Sequence, residues 1–174
     1  MKSKDFISKQ LEYTAQTIEW ALLLIPEDRL FKSPPHDTHP KYSAYGPNYF
    51  GRWSAMRIFY HLVHYEELFA LPALKVWLGD ELIKPIGIVE SREYKREIDQ
   101  GLNLQSLLKR FHLVRDKQIE VIKEIKEEDW IMPKPNTFWG NVSAKFIIAK
   151  SIQHTLEHGN KISRNAIFWE RSFI

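Results

Sequence analysis

Seven histidines carry most of the chemistry that this sequence can offer: His36, His39, His61, His64, His112, His154 and His158. His154 and His158 stand four apart. In a helix, at about 100° per residue, they differ by about 40°, so both imidazoles leave from one face. Two nitrogens so placed can reach a single ion at roughly 2.0–2.1 Å. His61 and His64 stand three apart. His61 falls within an apolar stripe of Ile58, Leu62, Tyr65 and Phe69, whereas His64 falls nearer its polar edge. His61 is therefore the one expected to face inward. The competing reading is that helices carry histidines at this spacing by chance, and that a core histidine is more often hydrogen-bonded than metal-bound.

A second chemistry uses the same residues. His154-Thr155-Leu156-Glu157-His158 has the form HxxEH, in which two histidines hold zinc and the glutamate activates water. That arrangement needs a further acidic ligand well downstream and a much larger α/β domain. Glu170 is the one acid after His158, so the protease reading is set aside. Glu157 stays as a pocket candidate.

The elements that must position these side chains are helical. From about Asp5 to Ile25, the residues Ile7, Leu11, Thr14, Ile18, Leu22 and Ile25 recur three or four apart and form one stripe, which Pro26 ends. A second helix is predicted from about Ser54, as N-cap, to Leu71, with a continuation past a kink at Pro72 to Trp77. A third spans about Leu104–Lys126 with Asn103 as its cap. A fourth spans about Ala144–Trp169 behind Ser143. No segment reads as a strand; the one β-like run, Ile86–Val89, sits in a loop. Four long amphipathic helices without a sheet predict an all-α fold, a helix bundle, in one domain over residues 1–174. The stretches Pro26–Trp53 and Gly79–Gly101 read as long loops. A long connection permits a crossover between parallel helices, and loops of this length often cover a site.

Composition narrows the classes. Apolar residues make up 44% and charged residues 27% of 174, which fits a folded globular chain rather than a disordered one. There are no cysteines, which excludes disulfides, iron–sulfur clusters, zinc ribbons and a cysteine nucleophile. Met1–Gln10 has no apolar signal core, and the longest apolar run, Ala21–Pro26, is too short to span a bilayer. The expected location is the cytoplasm, with no membrane contact. Net charge is +3 with a pI near 9. Acids and bases are interleaved, as in Lys117–Asp129, rather than clustered on one arm, which argues against a nucleic-acid partner.

Several stretches, in order, resemble one family. Leu24-Ile25-Pro26-Glu27-Asp28-Arg29-Leu30 followed by Pro34-Pro35 is similar to its first-helix exit. Trp53-Ser54-Ala55-Met56-Arg57-Ile58-Phe59-Tyr60-His61-Leu62 is similar to its second helix, and Glu127-Glu128-Asp129-Trp130 to its third-helix exit. His154-Thr155-Leu156-Glu157-His158-Gly159-Asn160-Lys161-Ile162 is similar to its closing HxxxHxxxI. The chain thus resembles the DinB/YfiT-like family of four-helix-bundle metalloproteins over nearly its whole length. The resemblance implies an up-down-down-up bundle with a long crossover between the second and third helices. It also implies one divalent metal ion on His61, His154 and His158, open ligand positions on that ion, and often a homodimer. Some members are metal-dependent transferases acting on a small-molecule substrate with a low-molecular-weight thiol cofactor. Others are known only as damage- or stress-induced proteins, so a non-catalytic metal- or ligand-binding protein is the alternative. Gly159-Asn160-Lys161 stands where relatives commonly carry a Gly-Gln or Arg-Gln pair, a departure that touches the substrate rather than the metal.

An ion with three protein ligands keeps a position open, the catalytic rather than the structural arrangement. Zinc, nickel, manganese and iron all remain candidates. With no cysteine in the chain, a thiol would have to come from a cofactor such as glutathione or bacillithiol. Arg115 and Gln118 lie on the inner stripe of the third helix, with Leu104, Leu108, Phe111, Ile122 and Ile125. Given the implied parallel second and third helices, Arg115 stands at about the metal's level. It either pairs with a buried acid or clamps an anionic ligand. His64, Arg115 and Glu157 are the pocket candidates beyond the three ligands. His112 is expected to be a hydrogen-bonded border residue, and His36 and His39 to be solvated.

Overall fold

The computed structural model describes residues 3–34, 53–82, 88–136 and 139–171. His36 and His39 lie outside them. The described chain is mostly helical. Helix α1 spans Ser3–Leu23 and is followed by Pro26 and a short 3₁₀ turn, Glu27–Arg29. Its stripe is buried as the periodicity predicts, with Leu11, Ile18 and Leu22 almost fully excluded from solvent. Helix α2 spans Ala55–Tyr65, and the Ser54 side chain caps it by accepting from the Arg57 amide. Helix α5 spans Leu104–Glu124 behind a reciprocal capping box of Asn103 and Ser106. Helix α6 spans Ala144–Arg171, with Ser143 Oγ accepting from the Phe146 amide.

The expected kink at Pro72 takes a different form. After α2 the rod passes through a π-helical segment, Glu66–Ala70, and resumes as α3, Leu71–Lys75. The Leu71 amide reaches back to the carbonyl of Glu66. Proline has no N–H to give and its ring crowds the preceding turn, so a widened turn placed just before Pro72 lets the rod continue.

The Gly79–Gly101 stretch is not all loop, because it contains helix α4, Glu90–Asp99. No residue of α4 is buried. Its half-buried positions are Glu90, Glu93, Tyr94 and Glu97, which follow the helical period with carboxylates in place of apolar side chains. A hydrophobic pattern cannot reveal such a helix. The β-like run Ile86–Val89 lies partly outside the described residues, and Val89 is the N-cap position of α4. A second correction is a small antiparallel hairpin of β1 (Lys134–Asn136) and β2 (Gly140–Val142). Each strand has three residues and no apolar alternation, so neither carried a periodic signal.

Rods α1, α2–α3, α5 and α6 enclose one core, in which Phe59 and Phe111 meet edge to face at 5.4 Å. Glu19 on α1 meets His112 on α5, and Lys4 donates to the Ile125 carbonyl. Gly159 on α6 lies against Ile18 of α1, where an added Cβ would come within 3.3 Å of the Ile18 side chain. Among the described residues, no helix is long and apolar enough to cross a membrane.

Candidate metal centre

α2 and α6 bring three imidazoles to one point. His61, His154 and His158 each offer a ring nitrogen, and these atoms lie within 4.8 Å of one another. The Nε2 atoms of His154 and His158 are 2.8 Å apart, as expected for positions four apart on one helix face. The His61 ring stands 5.3 Å from that of His154 and 4.9 Å from that of His158.

Electrostatics favours bare nitrogens here. Burial, then the neighbouring His158 and His61, push His154 down to about 3. Burial, then Lys161 and His61, push His158 down to about 4. Both rings are therefore neutral at pH 7 and keep a lone pair. The Nδ1 atoms of His154 and His158 are buried without a hydrogen-bond partner among the described residues. Two neutral imidazoles facing each other through Nε2, with a third beside them, form a donor set suited to a borderline divalent cation.

His61 differs from the other two in having a carboxylate behind it. Its Nδ1 lies 2.7 Å from Glu90 Oε2, and Arg57 holds the other oxygen of Glu90. Burial pushes the Glu90 carboxyl up, but His61 and the Arg57 guanidinium outweigh it and hold the group at about 2. Glu90 was hidden in the sequence because its helix was hidden.

His64 does not take the polar-border position that its angle suggested. It is buried, with its side chain 7% exposed against 27% for His61. Its Nδ1 is 4.0 Å from Glu90 Oε2, and burial lowers its pKa. Docking of α4 covers the edge that α2 alone would leave open. Glu157 lies on the exposed side of α6, bonded to Gln153 and Lys161, apart from the three-histidine cluster. His112 is hydrogen-bonded to Glu19.

Arg115 meets an internal acid. Its Nη1 lies 3.1 Å from Glu66 Oε2 and donates to Gln118 Oε1 at 2.7 Å, while Nη2 donates to Glu66 Oε1 at 3.2 Å and to the Thr155 hydroxyl. Gln118 and Ser151 donate to the second Glu66 oxygen at 2.7 and 2.8 Å. Glu66 was legible in principle, because it follows Leu62 by four and so falls on the inner stripe. Next to it, Tyr65 meets the His154 ring edge to face at 4.3 Å, and Trp53 lies 5.5 Å from His61.

Curated proteins and solved structures give no match to this chain. The family model of the DinB superfamily matches residues 10–162, a span running from α1 well into α6 and containing all three clustered histidines. Nearly the whole chain is accounted for by that match, and the protein belongs to the DinB superfamily.

Proposed function

We propose that the protein holds one divalent metal ion through His61, His154 and His158 and works as a metal-dependent transferase with a low-molecular-weight thiol. The observation that carries the metal half is the convergence of three ring nitrogens, two of them on imidazoles kept neutral by burial. The transferase half rests on the family resemblance. The sequence has no cysteine, so the thiol belongs to a cofactor.

The scaffold of this reading is an up-down-down-up bundle. Phe59 meets Phe111, and further along Glu66 meets Arg115 and Gln118, which supports a parallel pair of α2 and α5. Ser151 meets Glu66 whereas His158 meets His61, which supports an antiparallel α6. Contacts of Lys4 with the Ile125 carbonyl and of Glu19 with His112 support an antiparallel α1 and α5. A homodimer, as the resemblance implies, and a cytoplasmic location complete the reading.

A divalent ion in this donor set would supply Lewis acidity that favours the deprotonated form of a thiol. The chain's own residues prepare the place. Glu90 is placed to accept a hydrogen bond from His61 Nδ1–H, the tautomer that leaves Nε2 free for a ligand bond. Burial keeps His154 and His158 from competing for protons at neutral pH. The rings of Tyr65 and Trp53 flank the cluster.

Consumption of glutathione or bacillithiol against a panel of epoxide and haloalkane electrophiles tests the reading. Turnover that depends on added divalent metal and disappears in His154→Ala plus His158→Ala is the expected result. Metal retention without turnover would leave a non-catalytic binding protein.

A further inference from the structure

Helix α4 is an unusual element to find packed on a core. It buries no residue, and its inward stripe is Glu90, Glu93, Tyr94 and Glu97. Its anchors among the described residues are polar or aromatic. Glu90 pairs with Arg57 and His61. Tyr94 packs 4.9 Å from the Tyr60 ring and lies under the Arg57 guanidinium. Glu97 accepts from the Tyr60 hydroxyl at 2.8 Å and from Arg110 at 2.6 Å. Held this way, α4 has little apolar burial to keep it docked, so its local opening costs less than that of the core rods. Its first residue is nevertheless, among the described residues, the one group bonded behind a clustered histidine.

We infer that Glu90 is a positioning residue for His61, and that through this bond the docking of α4 is coupled to metal binding at the three histidines. The inference rests on the metal reading above. A carboxylate on Nδ1 fixes the tautomer that leaves Nε2 unprotonated, and it fixes the plane of the ring. When α4 lifts, His61 loses both constraints. An ion that needs His61 in that state therefore binds the docked form better and shifts the equilibrium toward it. Reciprocity then requires that anything loosening α4 also weakens the metal, even where it touches no histidine. Tyr94 is such a point, since its partners are Ser54, Arg57 and Tyr60.

The experiment uses the full chain and zinc alone. Zinc affinity is measured by chelator competition for wild type, Glu90→Ala, Glu90→Gln and Tyr94→Ala, and amide exchange over residues 90–99 is followed with and without zinc. Glu90→Ala should bind roughly 10–100-fold more weakly. Glu90→Gln, which keeps an acceptor, should recover part of that loss. Tyr94→Ala should lose roughly fivefold, the low end of common coupling. Zinc should slow exchange across α4 in wild type and not in Glu90→Ala. Nitrogen-detected imidazole spectra of the zinc-free protein at mildly alkaline pH should show His61 protonated on Nδ1. Wild-type affinity in Glu90→Ala, α4 exchange indifferent to zinc, or a His61 protonated on Nε2 would each overturn the inference while leaving the metal reading in place. A wild-type chain that binds no zinc would overturn both.

Discussion

Two buried polar clusters sit side by side in this bundle, and they are built on opposite principles. Around Glu66 and Arg115, the side chains bring their own partners: Gln118, Ser151 and Thr155 fill both carboxylate oxygens and much of the guanidinium fork. Around His154 and His158, the nitrogens face each other and His61, and two Nδ1 atoms have no partner among the described residues. Both clusters are largely shut off from water. The first is an ion pair wrapped in hydrogen bonds, with only Arg115 Nε left over among the described residues, whereas the second turns ring nitrogens toward one another around a common point. Closeness to the core therefore does not distinguish the two clusters; what does is that one pairs a buried charge with its counter-ion and the other gathers neutral rings.

The largest expected effect falls on the closed cluster. Arg115→Met leaves Glu66 buried without its counter-ion, and loss of one partner from such a pair costs about 3–5 kcal/mol. A denaturant melt should show that loss. A variant as stable as wild type that had lost ligand affinity would move Arg115 from the architecture to the site.

The sequence made part of this contrast readable. The triad was legible in two steps: helical spacing puts His154 and His158 on one face and His61 on an inner stripe, and the family resemblance joins the three into one ligand set. The closed cluster was half legible, since Arg115 and Gln118 interrupt an apolar stripe and demand a partner. Glu66 falls on the inner stripe four residues after Leu62, but apolar periodicity does not pick out an acid. Glu90 and α4 were invisible for a firmer reason: a helix that docks through carboxylates and a tyrosine has no hydrophobic period to detect. That same omission misplaced His64, whose polar border is polar only until α4 covers it. The hairpin Lys134–Val142 escaped because three-residue strands carrying Pro135 and Asn136 offer no alternation.

A smaller effect sharpens the open cluster. His61→Ala should weaken the metal by more than the roughly 10–100-fold that loss of a supporting partner costs, because it removes a proposed ligand. His64→Ala should weaken it less, yet should destabilise the fold by about 1–3 kcal/mol, because it empties a buried volume. Chelator competition and thermal melts, run on both variants, separate the two. A reversed order in metal affinity would place His64 rather than His61 in the ligand set.

A slope against pH tests the open cluster without any metal. The pKa values of His154 and His158 are depressed in the folded state to about 3 and about 4, from an ordinary value near 6.5. Between about 6.5 and 4 the unfolded chain binds protons that the folded chain refuses, so metal-free stability must fall as pH falls through that window. His154→Ala plus His158→Ala should flatten the slope. Melts of the metal-free protein that are level across the window in wild type would show that these rings are not held neutral by the fold.

Metal analysis of the untagged protein, purified without a chelating column, tests the central claim most directly. The account predicts about one divalent ion per chain, and none in His154→Ala plus His158→Ala, whose apolar core should keep it helical. A metal-free wild type under metal-replete growth, or full occupancy in the double variant, would contradict it.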